Sequence, residues 1–284
     1  MIGKKNGVTV GIFAAIVVVV VVLVFVVFGK NEETPLKNIE KILNKKPTNA
    51  GKIVNDVAPS FISKAYIDAI LVIRGNDEYK DSIEEIYEKS EKKLEDSWEE
   101  LYDELENELG KNVKFSYTIE DKKVLEDEEI QFTTQIYEDI SKYMDQICEM
   151  VEILAETTEL EEKEVKKLVK IIETLSDDLE EIEIKEGYKM EVEVVAEGED
   201  NDESEAYEVA VIKAHGEWFI DPVLTYVFNE GVDAEEFYDE EFEPVYELVG
   251  KLLKNSIEDL EEEAEEMDED ALEELFEMIL SKLK

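Results

Sequence analysis

The chain has 284 residues, of which 76 are acidic and 30 are basic, and it carries a formal net charge of -46 at neutral pH. Phosphate binding needs clustered positive charge, so we expect no nucleic-acid partner. Hydrophobic residues make up 44% of the chain, which argues against an acidic disordered protein and indicates a folded core. The single cysteine, Cys148, excludes an intramolecular disulfide.

An uninterrupted apolar run spans residues 8–28 near the start of the chain. As a helix it would be about 31 Å long, enough to cross the hydrocarbon core of a bilayer once. The run is longer than the roughly 7–15 apolar residues of a cleaved secretory signal, so we favour an uncleaved anchor and keep the cleaved signal as the alternative. The residues assigned to the anchor include Val8, Ile12, Ile16, Val20, Leu23 and Phe28.

The orientation of this anchor is predicted from the charges that flank it. Lys4 and Lys5 precede the run, but five lysines follow it within residues 30–46, so the lysine count alone does not decide. The tail before the run is very short and purely basic, which favours a cytoplasmic N-terminus. An anionic cytoplasmic leaflet would also repel the acidic domain. We therefore expect a single-pass protein of the cell membrane whose main domain is extracytoplasmic.

Four segments are predicted along the chain. Residues 1–29 form the basic tail and anchor, and residues 30–58, which contain two prolines, form a stalk or linker. Residues 59–231 form an α+β domain, and residues 232–284 form acidic C-terminal helices. Within these segments the apolar spacing predicts helices over residues 60–74, 77–109, 127–154 and 158–179, and again from residue 237 to the end of the chain.

The apolar period changes from helical to alternating in two parts of the chain. Residues 113–119 alternate, and so do residues 188–196 and 207–211, followed by a short strand at 218–220. Between 196 and 207, the polar run Glu199–Glu205 is predicted as a solvated hairpin tip, because it departs from the calcium-binding EF-hand pattern. The expected architecture is thus α+β, with long helices on an antiparallel meander that leaves one face in solvent.

Residues 207–221, and within them Gly216, Trp218, Phe219 and Asp221, resemble the extracytoplasmic domains of uncharacterised Firmicutes lipoproteins and membrane-anchored proteins. Residues 65–69 and Gly75 add to this resemblance. Those domains are similar to the NTF2-like (cystatin-like) α+β cone, so the resemblance implies a bent sheet that wraps around helices. The chain has no lipobox cysteine, and the apolar run would take the place of the lipid.

No strong catalytic or metal-binding motif occurs in the sequence. The only histidine, His215, is predicted to lie exposed in a tight turn, which argues against a zinc site and against Ser-His-Asp catalysis. Cys148 lies on the apolar face of a predicted helix and is expected to be a buried small hydrophobe. We therefore predict no catalytic residue, no cofactor and no metal.

Tyr207, Trp218 and Phe219 are the candidates for a pocket or for the core. Trp218 and Phe219 are adjacent in a strand and point to opposite sides, so at least one of them should lie in the core. The favoured function is a membrane-anchored domain that binds a protein, a cell-envelope component or a small ligand. The alternatives are an NTF2-like enzyme that uses a buried carboxylate, and a helical scaffold protein. The oligomeric state is left open.

Overall fold

The computed structural model describes residues 28–29, 31–75, 80–157, 161–244, 246–247, 250–251 and 254. It confirms the α+β class. The helices are α1 (Thr34–Lys45), α2 (Ala50–Val57), α3 (Ser60–Arg74), α4 (Lys80–Leu109), α5 (Asp127–Ser141), α6 (Met144–Thr157), α7 (Glu162–Glu180), α8 (Pro222–Glu230) and α9 (Ala234–Phe237). The strands are β1 (Phe28–Gly29), β2 (Lys114–Val124), β3 (Glu186–Glu197), β4 (Asp202–Ala214) and β5 (Glu217–Ile220). A single π-helical segment, Tyr238–Phe242, follows α9.

The strands form one antiparallel sheet in the order β1-β5-β4-β3-β2. Strands β3 and β4 make a long hairpin that is paired from Glu186 with Lys213 to Glu197 with Asp202. Strand β5 continues the meander, with Val211 opposite Ile220. Strand β2 pairs with β3 although three helices separate them in the chain. The predicted meander is therefore confirmed, and the earlier strand joins its outer edge.

Both faces of the sheet are covered near β5, so the prediction of one solvated face is wrong there. One face carries Met190, Val192, Val209, Val211, Trp218 and Ile220, which pack with Leu36 of α1. The other face carries Ala210, Ile212, Ala214 and Phe219, which belong to the main core with α3, α5, α6, α7 and α8. The cause is an unbroken apolar run in β4, residues 209–212. Its side chains point alternately to the two faces of the sheet, and all four are buried.

Residues 34–57, predicted as a stalk, form α1 and α2 and pack against the domain. Leu36 is buried on the sheet. The side chain of Asn44 donates to the carbonyl of Phe115 at 2.8 Å and accepts from its amide at 2.9 Å, which ties α1 to β2. The Tyr102 hydroxyl in α4 donates to the carbonyl of Leu43 at 2.6 Å. This part of the chain is thus joined to the domain by hydrogen bonds as well as by apolar packing.

The predicted anchor lies almost wholly outside the described residues, because only its last residue, Phe28, is placed. Phe28 and Gly29 form β1 and pair with Phe219 and Trp218 of β5, so Phe28 belongs to a strand rather than a helix. Among the described residues, none of the helices combines the length and the apolar character needed to cross a bilayer.

The helix predicted over residues 127–154 is interrupted. Helix α5 ends at Ser141 and α6 begins at Met144. The carbonyl of Ser141 accepts a hydrogen bond at 3.2 Å from the hydroxyl of Ser176 in α7, which stabilises this break. The apolar spacing continues through the break, from Ile140 to Met144, and for that reason the sequence pattern does not show it.

The tip of the β3–β4 hairpin is docked on the end of α4. The amides of Asp200 and Asn201 both donate to the carbonyl of Leu109, at 2.9 and 3.0 Å. Strand β4 begins at Asp202, so the solvated tip is shorter than the predicted Glu199–Glu205. The last carbonyls of a helix have no hydrogen-bond partner within the helix. The amides of the hairpin tip supply partners for one of them, the carbonyl of Leu109.

We expect Gly198→Ala to lower the free energy of unfolding by about 3 kcal/mol, because an added Cβ would overpack this junction. That Cβ would lie 2.2 Å from the carbonyl oxygen of Leu109, a backbone atom of a fully buried residue. The matched control is Gly216→Ala, where φ is +80° and no atom lies within 4 Å, so only backbone strain of about 1 kcal/mol applies. Urea unfolding of both variants checks this, and equal losses would contradict the docking of the hairpin tip.

Candidate functional site

The three aromatic candidates lie in different environments. Phe219 is fully buried in the main core, and Trp218, 5% exposed, packs in the smaller cluster on the other face of the sheet. Trp218 stacks on Tyr188 at a ring distance of 5.5 Å. Tyr207 is 40% exposed, and its hydroxyl donates to the carboxylate of Glu205. None of the three lines either of the two grooves described below.

His215 and Cys148 have local structural partners. His215 lies exposed in the turn between β4 and β5 with φ of 49°, as the sequence predicts, and its ring contacts that of Phe61 at 5.1 Å. Cys148 is partly buried between α6 and α7, with its sulfur 3.9 Å from the carbonyl oxygen of Val169. Burial raises the pKa of the Cys148 thiol to about 12, so it stays protonated at neutral pH.

A buried carboxylate occurs at Asp221, the residue before α8. Asp221 is 2% exposed, and its Oδ2 accepts a hydrogen bond from the hydroxyl of Tyr137 at 2.9 Å. Its Oδ1 accepts from the amide of Leu224 at 2.6 Å, so Asp221 is the N-cap of α8. The sequence contains the signal for this cap, an Asp before Pro at the first helical position. It does not contain the signal for Tyr137, which comes from a helix more than eighty residues away.

Burial raises the pKa of Asp221 above its ordinary value, although the hydrogen bonds from Leu224 and Tyr137 oppose this effect. Burial, together with the neighbouring carboxylate, also raises the pKa of Tyr137. A carboxyl of this kind is the group that the enzyme hypothesis requires. Asp221 lines neither of the two grooves, however, and both of its oxygens are already occupied by the cap and by Tyr137.

A groove of about 760 Å³ lies between the start of α5, Lys189 of β3 and Glu208 of β4, and the segment from the end of α8 into α9. Six carboxylates line it, from Glu126, Glu128, Glu129, Glu208, Asp233 and Glu235. Its apolar lining comes from Phe132, Val227, Phe228, Val232, Ala234 and the ring of Tyr238. We call this surface the acidic groove. Lys189 is its one basic residue, which leaves a formal charge of -5.

Some of these carboxylates have structural roles. Glu126 and Glu129 form a capping box at the start of α5, and Asp233 accepts from the amide of Glu235 at 2.9 Å as the cap of α9. Acidic residues at a helix N-terminus also offset the helix dipole. The side chains of Glu128 and Glu235 have no hydrogen-bond or ion-pair partner in the part of the chain that the structure describes. These two are the carboxylates open to a ligand.

Lys189 is held against the wall of the acidic groove. Its Nζ lies 2.7 Å from a carboxylate oxygen of Glu208 and 4.1 Å from the centre of the Phe228 ring. The pair is partly shielded from water. A protein cation already occupies the two kinds of group, a carboxylate and an aromatic face, that the rest of the groove offers. The position of Lys189 thus indicates that the groove can accommodate an ammonium group with an aliphatic stem.

One end of the groove is fixed by the buried carboxylate of Asp139, which is 3% exposed. It accepts from the Nε2 of Gln135 at 3.0 Å, from the Nζ of Lys142 at 2.5 Å and from the hydroxyl of Tyr238. Burial opposes ionisation of Asp139, but these hydrogen bonds outweigh it and lower the pKa. Gln135 of α5 and Tyr238 after α9 both line the groove. The Asp139 carboxylate therefore connects the wall formed by α5 with the wall formed by the residues that follow α8.

Sequence reasoning did not find the acidic groove. Its carboxylates come from three separated parts of the chain, and in a sequence with 76 acidic residues no local pattern distinguishes them. Among the described residues, no group of three or more His, Cys, Asp or Glu side chains is arranged to hold a metal ion. Comparison with protein-family models, with curated proteins and with solved structures gives no match to this chain.

Proposed function

We propose that the protein is a membrane-tethered binding protein whose acidic groove takes up a basic, partly aliphatic segment of another polypeptide. The observation that carries this proposal is the combination of open carboxylates with an apolar lining in one groove. Its volume of about 760 Å³ falls within the range of roughly 300–1,000 Å³ that is common for ligand sites.

The chemistry of the lining selects the class of ligand. Glu128 and Glu235 supply the charge, and Phe132, Phe228 and Val232 supply a surface on which methylene stems pack. Lysine and arginine side chains have such a stem and a cationic end. Carboxylates beside a surface from which water is excluded attract a cation more strongly than carboxylates surrounded by water. A short peptide that alternates basic and aliphatic residues therefore fits the groove better than a small inorganic cation does.

The membrane tether is proposed from the apolar run at residues 8–28. The resemblance to membrane-anchored extracytoplasmic domains supports the same location. The pairing of Phe28 and Gly29 with β5 would then hold the domain close to the bilayer. Protease added to intact cells should cleave the acidic domain, and full protection of the domain would contradict the proposed orientation.

Binding should depend on the open carboxylates of the groove. We expect the full chain to bind a fluorescent peptide of alternating leucine and lysine, and the double variant Glu128→Gln/Glu235→Gln to bind it about tenfold more weakly, since each exposed charge pair contributes little. Fluorescence anisotropy at fixed ionic strength measures both affinities. A peptide of equal charge with glycine in place of leucine should also bind more weakly, because it lacks the apolar contact.

The matched control is Glu104→Gln/Glu108→Gln, which removes the same charge from exposed positions of α4 outside the groove. This variant should bind the leucine–lysine peptide within about twofold of the unchanged chain, because screening weakens the effect of distant charges. Equal losses in the two variants would show general attraction to a polyanion and would contradict a site in the groove.

The enzyme alternative now has a specific candidate, the buried carboxyl of Asp221 with its raised pKa. It would require a path for substrate to Asp221 and the release of at least one of its present hydrogen bonds. The binding function requires neither change, and for this reason we favour it.

A further inference from the structure

A second groove, of about 520 Å³, lies between α3 and α7. Its floor is apolar and includes Leu71, Val72 and Ile171, and its rim carries Lys64, Lys167 and Lys170. We call it the basic groove. Asp68 and Asp178 also line it, so one net positive charge remains in a chain whose total charge is -46. At one end, the ring of His215 lies against Phe61.

The three lysines of the basic groove differ from those lysines of the domain that form ion pairs. Lys122, Lys142 and Lys213, for example, each lie within 3 Å of a carboxylate oxygen. Within the described ranges, Lys64, Lys167 and Lys170 have neither an ion pair nor a hydrogen bond to their side chains. Lys111 and Lys114 also lack such a partner in the described part of the chain, but Lys64, Lys167 and Lys170 lie together on the rim of one apolar groove.

The floor of the basic groove exposes apolar surface. Leu71 is 60% exposed, although Ile62, Ile70 and Ile73 of the same helix are buried. An apolar groove between two helices, flanked by charges of one sign, is the usual receptor for an amphipathic helix that carries the opposite sign. The fitting occupant therefore has an aliphatic stripe and acidic flanks.

The chain itself carries a segment of this chemistry. Residues 255–284, outside the described residues, contain thirteen acidic residues and two lysines. Their apolar residues recur at helical spacing, at Ile257, Leu260, Ala264, Met267, Leu272, Leu275, Ile279 and Leu283. We propose that residues 255–284 bind in the basic groove of the same molecule, with the apolar stripe on Leu71 and Ile171 and the acidic flanks on Lys64, Lys167 and Lys170.

The last described residues contact an element that itself contacts a wall of the basic groove. Near the last described residues, the hydroxyl of Tyr143 donates to the carbonyl of Tyr246. Two residues before Tyr143, the carbonyl of Ser141 accepts from Ser176 of α7, the helix that forms one wall of the basic groove. Thirty residues extend about 45 Å as a helix. A second copy is a poorer occupant, because two chains with charges of -46 repel each other.

Hydrogen exchange of the full chain tests this proposal. We expect the amides of residues 257–283 to be protected, and Lys167→Glu/Lys170→Glu to speed their exchange roughly tenfold, the effect of losing two screened ion pairs. Reversing Glu273, Glu274 and Glu277 to lysine in the same variant should restore protection. The control Lys111→Glu/Lys114→Glu alters two exposed lysines, one between α4 and β2 and one at the start of β2, and should leave the exchange unchanged.

Three results would overturn the proposal. The first is exchange in residues 257–283 that responds equally to the test and control variants. The second is protection that disappears on dilution, which would place the segment on a second copy. The third is the absence of protection in the unchanged chain. Because neither Lys167 nor Lys170 lines the acidic groove, peptide binding there should be the same in the test variant, so this proposal and the proposed function can fail separately.

Discussion

Replacing Asp221 with alanine is expected to lower the free energy of unfolding by about 3 kcal/mol, from the lost helix cap and from a buried donor left without a partner. The variant removes the acceptor of the Leu224 amide and the acceptor of the hydroxyl of Tyr137, a residue that is 3% exposed. Neither donor can reach water without a local opening of the core. Urea unfolding, followed by the fluorescence of Trp98 and Trp218, gives the change.

The matched control is Asp221→Asn, which keeps the shape of the side chain and the acceptor of the helix cap. The side-chain oxygen of the asparagine can accept from the backbone amide of Leu224, and its side-chain NH2 group can donate to the hydroxyl oxygen of Tyr137. We expect a loss of about 1 kcal/mol, smaller than that of the alanine variant, because the cap is kept and only the hydroxyl hydrogen of Tyr137 loses its acceptor. A loss as large as that of the alanine variant would contradict the assignment of most of the effect to the lost helix cap.

The pH dependence of these two proteins should differ in a predictable direction. Burial raises the pKa of Asp221 in the folded protein. Between the unfolded value, about 3.9, and the higher folded value, the folded protein binds more protons than the unfolded chain does. The contribution of Asp221 to stability is therefore fully present below the unfolded pKa and is lost as the pH rises through the folded pKa. The Asp221→Asn variant lacks this loss, so it should gain stability relative to the unchanged chain as the pH rises above 4.

Phe219→Ala is the second large effect, with an expected loss of about 4 kcal/mol from the removed apolar contacts and the remaining cavity. Phe219 is fully buried, lies in the main core and meets the ring of Tyr137 edge-on at 6.5 Å. The strand that carries it pairs on both sides, so the backbone cannot shift to fill the space. Urea unfolding measures the loss.

Tyr207→Ala is the comparison for Phe219→Ala, because the sequence placed both residues among the candidates for a pocket or the core. Tyr207 is 40% exposed, and its hydroxyl reaches only Glu205. Its loss should cost about 0.5 kcal/mol, the usual effect of a surface substitution. Similar losses in the two variants would contradict the assignment of Phe219 to the core.

The sheet could be predicted from the sequence because its strands alternate regularly. Residues 188–196 have alternating apolar and polar side chains, and the structure places them in β3 in a hairpin with β4. A period of two specifies both the strand and the side on which each residue lies. The opposite placement of Trp218 and Phe219 follows from the same rule.

The covering of the sheet could not be predicted in this way. The apolar side of α1 is short and lies between prolines, a pattern that linkers share. Only the three-dimensional position of Leu36 against Val211 and Trp218 distinguishes a packed helix from a stalk. The break between α5 and α6 escapes prediction for a similar reason, since Ser176, which stabilises it, comes from another helix.

The two grooves depend on tertiary structure to a still greater extent. In the acidic groove, the capping carboxylates of α5 and α9 line the same surface as Lys189 of β3 and Glu208 of β4. Each cap has a local signature in the sequence, but their juxtaposition is set by the path of the chain through the sheet. The proposal of an NTF2-like cone, which rests on the resemblance of residues 207–221, stays a prediction.

Hydrogen exchange of the full chain with and without a saturating leucine–lysine peptide tests the binding function most directly. The acidic groove predicts that bound peptide slows exchange at residues 126–135 and 227–238, the two walls that Asp139 joins. Exchange at the basic groove, residues 64–72 and 167–178, should not change. Slower exchange spread evenly over the acidic surface, or confined to residues outside the two walls, would contradict the assignment of the ligand to this groove.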